Sequence, residues 1–200
     1  LSPSNPVTVD DRKFRVITAG SLIRVKGFGL AVKAFKLFVD KHPDSKLTIA
    51  GDGPEEGRLR KLIHCSQLDD MVKLVGALPR HDLLSRMASS DALLFPSLRD
   101  GGGTVVIEAM SAAKPVVCLD IGGPGLHITE ECGIKVTPTS SQETAQKLAD
   151  ALERLYLDEG LRDKLGEAGR ERVRLLYHWD RLGERLMEIY QPILLKEPGN

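Results

Sequence analysis

The chain has 200 residues, 42% of them apolar, and its 28 lysines and arginines equal its 28 aspartates and glutamates. That length holds one domain with a sizeable core. The zero net charge excludes a general binder of nucleic acid or of acidic membranes and leaves open only a local basic patch.

The first residues, Leu1-Ser2-Pro3-Ser4-Asn5-Pro6, lack an initiator Met and the character of a signal peptide. Residues 1–13 read as a linker or a cut end. Phe14–Gly20 reads as the first strand, followed by the loop Ser21–Gly27. Leu30, Ala34, Phe35 and Phe38 then share one face of a helix that stops before His42-Pro43. Lys46–Ala50 is the second strand, and Gly51-Asp52-Gly53-Pro54 turns into a helix bearing Leu59, Leu62 and Ile63. Val72–Val75 is the third strand, with Leu83, Leu84 and Met87 on the helix after it. The apolar run Asp91–Pro96 is a fourth, buried strand. Pro115–Leu119 is the fifth and Gly133–Val136 the sixth. Ser140 and Glu143 form a capping box that opens a long helix. Two more helices, near residues 160–177 and 180–194, close the chain. Short apolar strands alternating with amphipathic helices specify an α/β fold, a doubly wound parallel sheet of Rossmann-like type.

Cys65, Cys118 and Cys132 are widely spaced with no C-x-x-C, which suggests neither a disulfide framework nor a zinc site and fits a reducing compartment. No apolar run approaches the roughly 18 residues that span a bilayer.

The stretch richest in chemistry is Ser97–Met110. Gly101-Gly102-Gly103 lies between the end of the fourth strand and a helix on which Val105, Val106, Ala109 and Met110 recur. Glycine lets a ligand approach the main chain. The first turn of a helix offers unpaired N–H groups and a partial positive charge. Such a loop can hold a phosphate or a sugar hydroxyl on backbone donors. Asp100 at its mouth and Glu108 one turn into the helix are carboxylates, which accept paired hydrogen bonds from vicinal hydroxyls. They also suit a hydrolase acid pair, but that chemistry needs one raised pKa, and Glu108 sits inside the helix.

This stretch resembles the donor-site motif of GT-B glycosyltransferases of the GT4 type, the glycosyltransferase group 1. That motif is an acid, seven residues, then Glu-Ala-Met. Gly103, Glu108, Ala109 and Met110 match it; Asp100 replaces the usual first Glu, and Gly101-Gly102 replace Pro-Phe. Gly20, Leu22, Lys26 and Gly27 match a second family stretch, while Ser21 stands where the family has a phosphate-binding Arg. Lys26 also follows the first strand, at the edge where open α/β sheets bind ligands; read without the resemblance, it is a solvated surface lysine.

The resemblance implies the C-terminal, donor-binding half of such an enzyme. Lys26 would contact the diphosphate, with Ser21 and Arg24 nearby. Asp100 and the backbone of Gly102, Gly103 and Thr104 would hold the sugar, and Glu108 the ribose. Gly53 would line the base pocket and Leu78 would read the base edge. Lys26, Asp100 and Glu108 are the catalytic candidates. The co-substrate would be a nucleoside diphosphate sugar, transferred with retention and with no metal or other cofactor. An N-terminal acceptor domain would be the partner, and residues 179–200 would form a helix turned toward it. Residues 14–178 would make up the Rossmann-like domain, inactive by itself. The resemblance places the enzyme in the cytoplasm, with peripheral association at the inner face of the membrane open to it.

Other readings are a non-catalytic nucleotide-binding or scaffold domain, or a sugar-nucleotide epimerase or phosphorylase of the same fold. Gly51-x-Gly53 is a decoy for NAD binding, because Gly57 falls one residue late and Pro54-Glu55 obstruct a pyrophosphate. Gly122-Gly123-Pro124-Gly125 resembles the family's Gly-Gly loop. His127 after it reads as an ordinary surface histidine, and no role attaches to His64, His81 or His178. No metal-ligand spacing is visible.

Overall fold

A computed structural model describes residues 13–194, with side chains to residue 191. The expected linker therefore lies outside the described residues except for Lys13. Six strands form one parallel sheet: β1 (Arg15–Ala19), β2 (Lys46–Ala50), β3 (Val72–Leu74), β4 (Ala92–Phe95), β5 (Val116–Leu119) and β6 (Gly133–Val136). Their spatial order is β3-β2-β1-β4-β5-β6. β1 pairs with β2 from Arg15↔Lys46 to Ala19↔Ala50, and with β4 through Val16↔Ala92. The order of strands reverses between β1 and β4. Doubly wound sheets open a ligand crevice at the carboxyl ends of the strands at such a point.

The helices are α1 (Phe28–Val39), α2 (Glu56–Cys65), α3 (Arg80–Ala88), α4 (Thr104–Ser111), α5 (Gly122–His127), α6 (Ser141–Leu157), α7 (Glu159–Leu176) and α8 (Trp179–Leu194). Successive strand residues point to opposite faces, and two cores result. Val16, Leu47 and Leu94 pack with Phe35 and Phe38 of α1 and Leu148 and Leu152 of α6. Ile17, Leu93 and Phe95 pack on the other face with Met87 of α3 and Val106 and Met110 of α4. β4 and β5 are buried at every residue, which is why they read as unbroken apolar runs. The Ser140 Oγ accepts from the Glu143 N–H at 3.2 Å, as the capping box requires.

Two elements differ from the sequence reading. Arg24–Lys26, expected as loop, forms one 3-10 turn. Gly122–His127, also expected as loop, winds into the short helix α5, because Pro124 at its third position fits a first helical turn. The last helix is formed from Trp179 to Leu194, residues 195–200 of the expected helix lying outside the described residues, and its apolar stripe is bare. Trp179 is 83% exposed, Leu186 52% and Tyr190 53%. Among the described residues no helix is long and apolar enough to cross a membrane. Cys65, Cys118 and Cys132 are free. Burial pushes the Cys118 thiol up to about 12, so it is inert as a nucleophile.

Candidate functional site: the crevice between β1 and β4

The loops that leave β1 and β4 are stitched together at the switch point. The Leu98 N–H donates to the Val25 carbonyl at 2.8 Å, and the Ser97 hydroxyl donates to the same oxygen at 3.4 Å. Gly27 sits in the left-handed region, φ 72°, between the 3-10 turn and α1. A Cβ on it would lie 2.1 Å from the Pro96 carbonyl oxygen. Glycine is therefore dictated twice, by backbone angle and by close approach. The consequence is that the turn carrying Lys26 is pressed onto the start of the glycine loop.

There Lys26 Nζ donates to Asp100 Oδ2 at 2.5 Å, with the two side chains 23% and 14% exposed. The other carboxylate oxygen, Oδ1, accepts from the Gly102 N–H at 3.1 Å and from the Gly103 N–H at 2.8 Å. Gly103 is the N-cap of α4, φ 54°. The amides that sequence reasoning offered to a ligand are thus held by Asp100 itself, because a short Asp folds back onto the backbone two and three residues ahead. Burial acts on the Asp100 carboxyl to raise it. The Lys26 hydrogen bond, the Gly103 amide, the Lys26 charge and the Gly102 amide together outweigh that and hold it below the usual carboxylate range. Asp100 is therefore kept ionised and is unsuited to be the general acid of a hydrolase pair.

Thr104 and Glu108 are four residues apart on α4, hence on one stripe of the helix, about 6 Å apart along its axis. Thr104 is exposed, and Glu108, 13% exposed, accepts from Arg80 Nε at 3.1 Å. Arg80 opens α3 and is 75% exposed. Lys26, Asp100, Gly102 and Gly103 thus form a hydrogen-bonded strip at the carboxyl edge of the sheet, and Thr104 and Glu108 continue from Gly103 along α4.

The other candidates fall around this strip. Ser21 is exposed just beyond β1. Gly53 packs on the backbone of Leu22, whose N–H donates to the Asp52 carbonyl at 2.6 Å and whose carbonyl accepts from Glu55 at 2.9 Å. Leu78 is half-buried against the core under α3 and α4. Arg24 departs from the strip; it lines a cleft of about 350 Å³ with Lys33, Arg58 and Leu62 on the side of α1 and α2.

Sequence reasoning missed the parts that Arg80, His127, Tyr177 and Arg172 play at this site. Arg80 precedes Glu108 by 28 positions and carries no motif. His127, taken for an ordinary surface histidine, is half-buried and clasps the glycine loop. Its Nε2 meets the Gly102 carbonyl at 3.0 Å, and its Nδ1 meets the Tyr177 hydroxyl at 2.9 Å. A carbonyl only accepts, so Nε2 carries the proton and Nδ1 accepts from Tyr177 when the ring is neutral. Arg172 Nε fixes the backbone beneath by donating to the His127 carbonyl at 2.8 Å. The Gly123 N–H donates to the Asp100 carbonyl at 2.8 Å, so the Gly-Gly loop does lie beside the crevice, a placement its position after β5 foreshadowed.

The fold and crevice define one class: a Rossmann-like α/β domain with a polar, glycine-lined site at its switch point. Within that class the chain belongs to the family described as glycosyl transferases group 1, whose profile matches residues 4–172. Its fold is that of one half of a GT-B glycosyltransferase. It is 30% identical over 177 residues to a GDP-mannose-dependent monoacylated alpha-(1-6)-phosphatidylinositol monomannoside mannosyltransferase of Corynebacterium glutamicum, covering 85% of this chain and 45% of that protein. The pneumococcal O-GlcNAc transferase GtfA, solved in complex with UDP and GlcNAc, superposes with a TM-score of 0.80 at 21% identity, covering 92% of this chain and 36% of that one. The C-terminal domain of the group 1 glycosyl transferase LpcC of Francisella tularensis gives a TM-score of 0.72 at 23% identity, covering 82% of this chain and 86% of that one. The chain spans about half the length of the curated relatives it matches.

Proposed function

We propose that this chain is the donor-binding half of a retaining glycosyltransferase that takes a sugar from a nucleoside diphosphate sugar without a metal. The observation that carries the reading is the strip Lys26–Asp100–Gly103–Glu108 at the switch point. As the glycosidic bond of the donor breaks, the leaving diphosphate gains negative charge. Lys26 and the N-terminus of α4 meet that charge more strongly in the transition state than in the ground state, and that difference accelerates transfer. Glu108 anchors the ribose. Asp100 takes the sugar hydroxyls, so the donor must first share Lys26 with it. Arg80 keeps Glu108 aimed through the hydrogen bond from its Nε. That one relative is named for GDP-mannose and one structural neighbour was solved with UDP and GlcNAc supports a nucleotide-sugar donor.

The acceptor belongs to a second domain, and the bare apolar stripe of α8 (Trp179, Leu186, Tyr190) suits a helix that docks there. The chain alone then binds donor and turns nothing over. Ser21, in place of a phosphate-binding Arg, favours a second reading, a nucleotide-binding domain without catalysis.

Calorimetric titration with UDP, GDP and ADP and their sugar conjugates tests both. One nucleotide is expected to bind. Lys26→Ala and Glu108→Ala should each weaken it roughly 10- to 100-fold, the equivalent of one charged hydrogen bond. Nucleotide binding indifferent to both substitutions sinks the proposal. Binding that keeps this dependence without preference for any sugar conjugate supports the second reading.

A further inference from the structure

The opposite edge of the sheet carries a feature that donor binding does not use. Arg15 and Lys46 are register partners at the starts of β1 and β2, and Thr48 partners Lys73 of β3. Because side chains alternate along a strand, Arg15, Lys46, Thr48 and Lys73 share one face of the sheet. Farther along, Ile17 and Ala50 of that face are covered by α3 and α4. At the strand starts the cover ends, and Arg15, Lys46 and Lys73 line a cavity of about 540 Å³ together with Lys13 and with Arg86 of α3.

None of these cations forms an ion pair among the described residues, although Asp70 also lines the bay; the side-chain hydrogen bonds of Arg15 and Lys46 go to backbone carbonyls. Arg15 Nη1 reaches the Ser89 carbonyl at 3.5 Å, and Lys46 Nζ donates to the Asp70 carbonyl at 3.1 Å. The nearby Asp91 carboxylate accepts from the backbone N–H of Arg15 at 2.7 Å. Elsewhere Lys26, Lys41, Arg58 and Arg60 each have a carboxylate partner. In a chain with equal numbers of acids and bases this local excess is a matter of placement. Like charges on directly opposed strand residues destabilise a sheet. The end of α3 attracts Arg15 and Arg86 through its carbonyls, but that does not account for Lys13, Lys46 and Lys73 on the strand side.

We propose that this bay binds a phosphate-bearing anion, with Lys46 and Lys73 beneath it and Arg15 and Arg86 at its sides. The volume lies within the range of small-ligand sites. Convergent cations around a concave surface focus the field on a multivalent anion. Two sources supply that chemistry, a phospholipid headgroup and a soluble phosphate ester. The proposal is independent of the donor crevice.

The test is an NMR titration of the whole chain with pyrophosphate at low ionic strength, in the wild type and in Lys26→Ala, so that the crevice is not the source. Saturable amide shifts at Thr48, Lys73 and Ser90 are expected in both. They should be about tenfold weaker or lost in the double variant Lys46→Gln/Lys73→Gln. That variant, relieved of repulsion, should melt no lower than wild type when phosphate is absent. A response that sodium chloride reproduces, or that the double variant keeps, overturns the proposal. Co-sedimentation with phosphatidylcholine vesicles containing phosphatidic acid separates the sources. Sedimentation lost in the double variant assigns a lipid headgroup. Saturable pyrophosphate binding without sedimentation assigns a soluble ester.

Discussion

The two edges of the sheet treat charge in opposite ways. At the carboxyl edge, Asp100 is enclosed by Lys26 and the Gly102 and Gly103 amides, its own carbonyl is taken by Gly123, and the Gly102 carbonyl by His127. At the amino edge, Lys13, Arg15, Lys46, Lys73 and Arg86 face one bay without an ion-pair partner among the described residues. A built-in carboxylate occupies the anion position at the first edge. An external anion would have to fill it at the second. A ligand in the crevice therefore competes with Asp100, whereas one in the bay relieves repulsion. Zero net charge conceals this separation, since it sums the two edges.

The largest break in the comparison is Gly27→Ala. The new methyl would lie 2.1 Å from the Pro96 carbonyl oxygen, at φ 72°. Unfavourable backbone angle and overpacking together should cost about 3 kcal/mol or more, roughly 6–12 °C in Tm for a domain of this size. Because the shifted turn carries Lys26, nucleotide binding should vanish while the bay, built on β1 to β3 and the end of α3, keeps its response to pyrophosphate. Differential scanning calorimetry and the two titrations check this. A variant that melts like the wild type would mean that the two loops are not pressed together as described.

Asp100→Ala is the next in size and sharpens the contrast. It removes a charged hydrogen bond and two backbone ones, about 2 kcal/mol in all. It also frees Lys26 and two amides, so UDP or its equivalent should bind no more weakly, while the preference for its sugar conjugate falls. The stability effect has a pH signature. A carboxyl held below its ordinary value stabilises the fold above about pH 4 and loses that contribution as pH falls through the lower folded value. The Tm difference between wild type and Asp100→Ala should be flat at neutral pH and close in acid. A difference that widens in acid contradicts the ion pair.

Much of this arrangement was legible in the residues. β4 and β5 announced themselves as apolar runs because both their faces are covered, and the glycines of 101–103 located the crevice. Lys26 and Asp100 were each picked out as ligand contacts. That they grip each other was invisible, because they lie 74 positions apart and pairing depends on the Gly27–Pro96 approach. Arg80 was missed because an exposed arginine has no pattern of its own; only the packing of α3 on α4 brings it to Glu108. The bay was the least legible feature. Its cations are dispersed from Lys13 to Arg86; strand register gathers Arg15, Lys46 and Lys73, and the end of α3 brings Arg86 to them.

The smallest prediction concerns the clasp on the glycine loop. Tyr177→Phe deletes the hydroxyl that meets His127 Nδ1 at 2.9 Å but keeps the ring, which stands edge-on to the imidazole at 5.1 Å. Packing is preserved, so the loss is that of one neutral hydrogen bond, about 0.5–1.5 kcal/mol. The proton on Nε2 is then no longer fixed by a donor to Nδ1, and the hold on the Gly102 carbonyl loosens. Since Gly102 and Gly103 donate to Asp100, the loosening should reach the crevice as a several-fold loss of affinity for the nucleotide sugar. The bay should be unaffected, because α7 and α5 lie away from it. Parallel titrations with the nucleotide sugar and with pyrophosphate in the Lys26→Ala background measure the two responses. Equal losses at both edges would point to a general loosening of the fold rather than to a clasp on one loop.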